Sequence, residues 1–150
     1  VLSIPFPSLS NIDAEFQRRV CLMVKDRLEV FQDLPGMVRF LFAESLQDIE
    51  GFEPSMIIWK TQTKDEARER LLAVKEMVSK NASVFVSVPE IEKAIRDLIA
   101  VRGWGNGDTL WPLRVSLSGM KQSPSPFELL WAYGQDRSLR RIDEALESLV

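Results

Sequence analysis

Arg114 is the one charged side chain in "TLWPLRVSLSG", the apolar run from Thr109 to Gly119. A guanidinium is a planar fork of donors that matches phosphate oxygens and base edges two bonds at a time. In such a run it either lays its stem on a core with its head in water or against a carboxylate, or it offers the fork to a ligand. After the Gly119 break comes "MKQSPSPFELL", with Pro124 and Pro126 two residues apart. Ser125 suits a helix N-cap, Pro126 the first helical position, and Glu128 the return bond of a Ser-x-x-Glu box. A rigid helix N-terminus therefore follows, carrying unpaired N–H groups and partial positive charge, and Arg114 on the preceding segment can fold back beside it. Unstacked RNA bases, whose edges are met by side chains and backbone, suit this pairing.

Arg27 raises the same question. At 100° per residue it points between Val20, Val24 and Phe31, into the middle of an apolar helix face rather than its edge. A charge there is costly unless paired. Its partner is either a carboxylate in the Asp48–Glu53 stretch or a base edge in a cleft.

Other chemistry is excluded by what is missing. The chain has no histidine, which removes the usual general base near neutral pH, the commonest metal ligand and every Ser-His or Cys-His nucleophile pair. Cys21 is the only cysteine and reads as a small apolar filler. A stand-alone enzyme therefore lacks its constellation. The net charge of −3 gives no overall attraction for nucleic acid. From Arg102 to the end the six Lys or Arg residues balance six Asp or Glu residues, so RNA contact has to come from a few placed side chains. No apolar run approaches the roughly 20 residues that span a bilayer, and the expectation is a cytoplasmic protein without membrane contact. The start at Val1, inside a proline-containing segment, reads as a cut from something longer.

Helical periodicity must position these groups. Phe16, Val20, Val24 and Phe31 share a face of a helix spanning 11–31, capped by Asn11 or Asp13. Short apolar segments follow at Pro35 and after Gly51. Thr63 and Glu66 form a capping box ahead of a long helix whose stripe is Ala67, Leu71, Val74 and Val78. "NASVFVSVPE" alternates like a short strand, but a linker ending in Ser87 as N-cap is preferred. The next helix carries Ile91, Ile95, Leu98 and Ile99 and stops at Gly103, and "GWGNGD" is expected to be a loop. Periodicity is ambiguous over 110–117, where the helical neighbours favour helix. The last helix is expected from about Asp136, with Leu139, Ile142, Leu146 and Leu149 inward and Arg140 and Arg141 flanking them. The fold class is all-α, with two helical subdomains, 1–58 and 59–150.

"WPLRVSLSG", "SPSPFELLWAYG" and "SLRRIDEAL", in that order and spacing, resemble the C-terminal end of bacterial glutamyl-tRNA synthetases. There a Pro-Leu-Arg-x-(Ala/Ser)-Leu-(Thr/Ser)-Gly motif precedes a proline turn, an apolar helix and a terminal Leu-x-Arg-(Leu/Ile) helix. "VKDRLEVFQDLPGMVRFLF" is similar to the family's first anticodon-domain helix. The resemblance is strong over 108–150, loose over 45–107, and covers essentially the whole chain. It implies an anticodon-binding helical cage in which Arg114 contacts the third anticodon base and Ser123, Pro124 and Pro126 contact the second and third. Arg27 matches a position that is arginine in synthetases specific for glutamate tRNA and glutamine in some that also accept glutamine tRNA. Ser-Pro-Ser-Pro stands where the family often has Thr-Pro-Gly and an apolar residue. Lys121, Arg140 and Arg141 are candidate contacts to the RNA backbone, and Trp104, Trp111 and Phe127 are either stacking platforms or core.

The family's class I motifs, with their histidines and Lys-Met-Ser-Lys-Ser-like loop, are absent, and "KEMVSK" at 75–80 is a coincidental match. The resemblance thus implies a monomeric reading head for glutamate tRNA, with glutamine tRNA a second candidate. ATP, Mg and the ligase chemistry would lie in a catalytic domain upstream, and the chain alone would be inactive. The contrasting expectation is a non-catalytic helical protein-interaction module that reuses the fold.

Overall fold

The computed structural model describes residues 13–25 and 39–150. Among them are five α-helices, four short 3₁₀ turns and no strand. The helices are α1 (Ala14–Val24), α2 (Lys64–Lys80), α3 (Val88–Arg102), α4 (Asn106–Ser118) and α5 (Pro126–Ser148). The all-α expectation holds.

Each start follows from local chemistry. Asp13 caps α1 by accepting from Phe16 N at 2.7 Å, and Phe16, Val20, Met23 and Val24 form its buried face. Thr63 and Glu66 close the expected box on α2, whose inward stripe of Ala67, Leu71, Val74 and Val78 is fully buried. The strand-like "NASVFV" winds into a 3₁₀ turn, Ala82–Val86, which buries Phe85 and delivers Ser87 as the N-cap of α3. Gly103 ends α3 in the left-handed conformation that a residue without Cβ adopts cheaply.

The loop expected over "GWGNGD" is shorter than the glycines suggest. Only Gly103–Gly105 lies outside helix, because α4 begins at Asn106 with Gly105 as an extended N-cap. Gly107 serves packing: a Cβ there would lie 2.6 Å from Trp59 Nε1.

At the other end, Ser125, Pro126 and Glu128 start α5 as expected. Gly134 breaks α5 at φ 77°, so the two expected helices meet with no loop between them. Gln135 beyond the bend donates from Nε2 to the carbonyls of Val78 at 2.9 Å and Ser79 at 3.2 Å, capping the end of α2.

The bent α5 packs against all four other helices. One apolar cluster runs from Phe16 and Phe40 through Leu71, Ile95 and Leu113 to Leu149. A hydrophobic face on each helix requires a partner in this way, and the central helix supplies it.

Candidate nucleic-acid interface

α4 is apolar nearly all round. Thr109, Pro112, Leu113, Val115, Ser116, Leu117 and Ser118 are buried, so the helix shows no amphipathic period to read. Its least covered stripe is Gly107, Leu110, Trp111 and Arg114, each half-buried, at spacings that share one helix side. Trp111 packs on Trp59 with ring centroids 4.8 Å apart and donates from Nε1 to Met56 O at 2.9 Å. Arg114 is thus the charged residue of the open stripe, and its side chain has no hydrogen bond or ion pair among the described residues. A stem on the core with the head outward resolves the oddity of a guanidinium in an apolar run.

Pro112, two residues before it, interrupts the helical ladder. Proline has no N–H for the carbonyl four residues back, which is that of Asp108. Gln62 fills the gap by donating from Nε2 to Asp108 O at 2.9 Å. Ser116 Oγ in turn donates to Pro112 O at 2.6 Å. The helix stays continuous around the proline, and Arg114 keeps a defined position.

The turn from Gly119 to Ser125 is fastened at both ends. Gly119, at φ 66°, caps α4 by donating its N–H to Val115 O at 2.7 Å. Its Cα lies against Ile49, where a Cβ would come within 2.9 Å of the Ile49 side chain. Tyr133 reaches across from α5 and donates its hydroxyl to Leu117 O at 2.8 Å. Burial pushes its phenol up to about 12, with Arg141 pulling weakly the other way. Ser123 Oγ donates to Pro124 O at 2.8 Å, while Ser125 and Glu128 exchange bonds of 2.9 and 3.2 Å. Pro124 and Pro126 are buried, Ser123 is half-buried, and Lys121 and Gln122 are exposed. The prolines therefore act as anchors, and the exposed polar face of the turn is offered by Lys121, Gln122 and Ser123.

The remaining expected contacts are spread more widely. Arg27 lies outside the described residues. Arg140 is exposed and lines a cavity of about 570 Å³ beside the Gly134 bend. The cavity's arginines, Arg19, Arg137 and Arg140, are matched there by Asp13, Glu15 and Asp136. Arg141 points inward and is only 4% exposed. Its Nη2 donates to the carbonyls of Phe40 at 3.1 Å and Ala43 at 2.7 Å, which joins the 39–43 turn to the last helix.

The aromatics are largely spent in packing. Phe127 is buried beneath the Arg96 guanidinium, Trp111 is paired with Trp59, and Trp104 lies under both Arg70 at 4.4 Å and Arg102 at 5.4 Å.

Sequence reasoning missed Gln62, Ser118 and Tyr133, all of which hold the Arg114 helix or its turn. A proline inside a helix does signal that some donor must replace its N–H, but only the fold shows that Gln62, far back in the chain, supplies it.

The all-α chain matches the family of anticodon-binding domains. That family's model matches residues 3–146, and the chain belongs to the family. Its curated relatives include the glutamate–tRNA ligases of Clostridium acetobutylicum (31% identical over 140 residues, 93% of this chain and 27% of the ligase) and of Thermus thermophilus (30% over 132 residues, 87% and 26%). The ligase of Elusimicrobium minutum is 27% identical over 149 residues, 96% of this chain and 29% of the ligase. The chain spans about a quarter of the length of these relatives.

Proposed function

We propose that this chain reads the anticodon of a glutamate tRNA as part of a longer glutamate–tRNA ligase. In this reading ATP, Mg and glutamate are handled by a catalytic domain outside this chain. Splayed anticodon bases meet Arg114 and the exposed face of the turn at Ser123, which the buried Pro124 and Pro126 brace from beneath, with Lys121 and Arg140 near the RNA backbone. Arg27 is the position that would separate glutamate from glutamine tRNA. The working unit is a cytoplasmic monomer, with a subdomain division near Trp59.

The observation that carries the reading is the family match over nearly the full chain, joined to the half-buried Arg114, unpaired among the described residues, beside an anchored turn. The helix fixes the backbone of Arg114, while its planar fork keeps its donors free for a base edge.

The test is a titration of the chain with glutamate tRNA and with the same tRNA altered at its third anticodon base, repeated with Arg114→Ala. The native chain should prefer the unaltered tRNA. The variant should lose about 1–3 kcal/mol of that preference, the worth of a good bidentate base contact. Equal binding of both tRNAs by the native chain, indifferent to salt, would overturn the reading and favour a protein-docking role.

A further inference from the structure

Ser118 is the last residue of α4 and its side chain is fully buried. Its hydroxyl stands among three backbone groups. It accepts from Met120 N at 3.0 Å, and its single proton faces two acceptors, Arg114 O at 2.8 Å and Met120 O at 3.0 Å. A serine that only bonds back to the carbonyl four residues earlier is an ordinary helical feature. One that also holds the N–H two residues ahead joins the end of its helix to the chain beyond it.

Here the helix end carries the Arg114 backbone, and the chain beyond is the turn with Lys121, Ser123, Pro124 and Pro126. The bonds from Gly119 N to Val115 O and from Tyr133 Oη to Leu117 O hold α4 itself. Of these contacts, the Ser118 hydroxyl is the one that touches both the Arg114 carbonyl and the turn.

We propose that Ser118 is a positioning residue for anticodon reading: its hydroxyl sets the distance and angle between Arg114 and the 120–126 turn without touching RNA. The inference rests on the reading of Arg114 and the turn given above. Two readers on separate elements discriminate bases only if their spacing matches the splayed bases, and a small displacement forfeits bonds on both. Backbone phosphate attraction, being less directional, survives such a displacement.

The experiment compares Ser118→Ala, Ser118→Thr and Ser118→Val in the full chain. Threonine and valine have the same shape and differ in the hydroxyl, so the pair separates the hydrogen bonds from the added volume. Each variant is titrated with glutamate tRNA and its altered third-base form, and amide exchange of residues 119–125 is followed in the free protein. Ser118→Ala and Ser118→Val should lower the preference about tenfold, the low end of a bidentate contact's worth, while affinity for the altered tRNA changes little. Exchange in the turn should quicken in those two, and Ser118→Thr should restore both properties relative to Ser118→Val.

A native chain that discriminates, with Ser118→Ala discriminating equally well, overturns the inference and leaves the anticodon reading intact. So does a uniform fall in affinity for both tRNAs that tracks the melting temperature, since that marks Ser118 as merely structural. A native chain that does not discriminate overturns the anticodon reading itself, and the RNA part of this inference with it.

Discussion

Arg114 and Tyr133 show how one residue's environment decides its role. Arg114 keeps its guanidinium because α4 leaves one stripe open, whereas Arg141, equally prominent in the sequence, is turned inward onto two carbonyls. Tyr133 is the only tyrosine of the chain, so its ionisation can be followed alone by absorbance near 295 nm. Burial raises its pKa from the model-compound value of 10.0 to about 12. A raised pKa in the folded state stabilises the protonated form, so this contribution is complete below pH 10 and is lost as pH climbs through about 12. The native chain should therefore show little tyrosinate at pH 10.5 and ionise together with alkaline unfolding. A midpoint at 10 would mean that the hydroxyl is not sealed against Leu117.

At the scale of elements, the gap that Pro112 leaves in the α4 ladder is filled by a side chain from elsewhere, and α1 is clasped to distant backbone carbonyls by its own Arg19. Gln62→Ala should leave the Asp108 carbonyl without its donor and cost about 1–2 kcal/mol, the usual penalty for an orphaned acceptor. Urea denaturation would read this directly, and an unchanged midpoint would show that water replaces the amide.

On α1, Glu15 bonds Arg18 at 2.7 Å and Arg19 at 2.8 Å. Arg19 in turn donates to the carbonyls of Phe85 and Trp131. The bonds to Arg18 and then Arg19 hold the Glu15 carboxyl down at about 2. Its contribution is therefore present above about pH 4.5 and fades as pH falls toward 2. Glu15→Gln should lower the melting temperature slightly at pH 6 and match the native chain near pH 2. Because the pair is exposed, the difference should also shrink in high salt.

For the whole molecule, the links between distant parts of the chain are polar groups inside an apolar frame. Arg141 ties the 39–43 turn to the last helix, and Glu144 beside it accepts from Leu46 N. Arg141→Ala should orphan two carbonyls and destabilise the fold by about 2–4 kcal/mol, measurable by thermal melting, with base preference retained in the fraction that stays folded. A loss of RNA affinity without any loss of stability would instead place Arg141 at the RNA. No described helix is long and apolar enough to cross a membrane.

Local rules made much of this legible from the sequence. The caps at Asp13, Thr63, Ser87 and Ser125, the stops at Gly103 and Gly119, and the buried stripes of α2 and α3 all follow from bonds and periodicities within a few residues. The motifs around Arg114 were legible for the same reason, being contiguous. Tertiary structure decided what contiguity does not contain. It showed that α4 opens inside "GWGNGD", where Gly107 leaves Trp59 the space of a missing Cβ, that Gln62 replaces the N–H of Pro112, and that Arg140 and Arg141, adjacent in sequence, part company. On a helix, neighbouring residues are turned 100° apart, and which of the two meets water depends on what the rest of the chain packs against them.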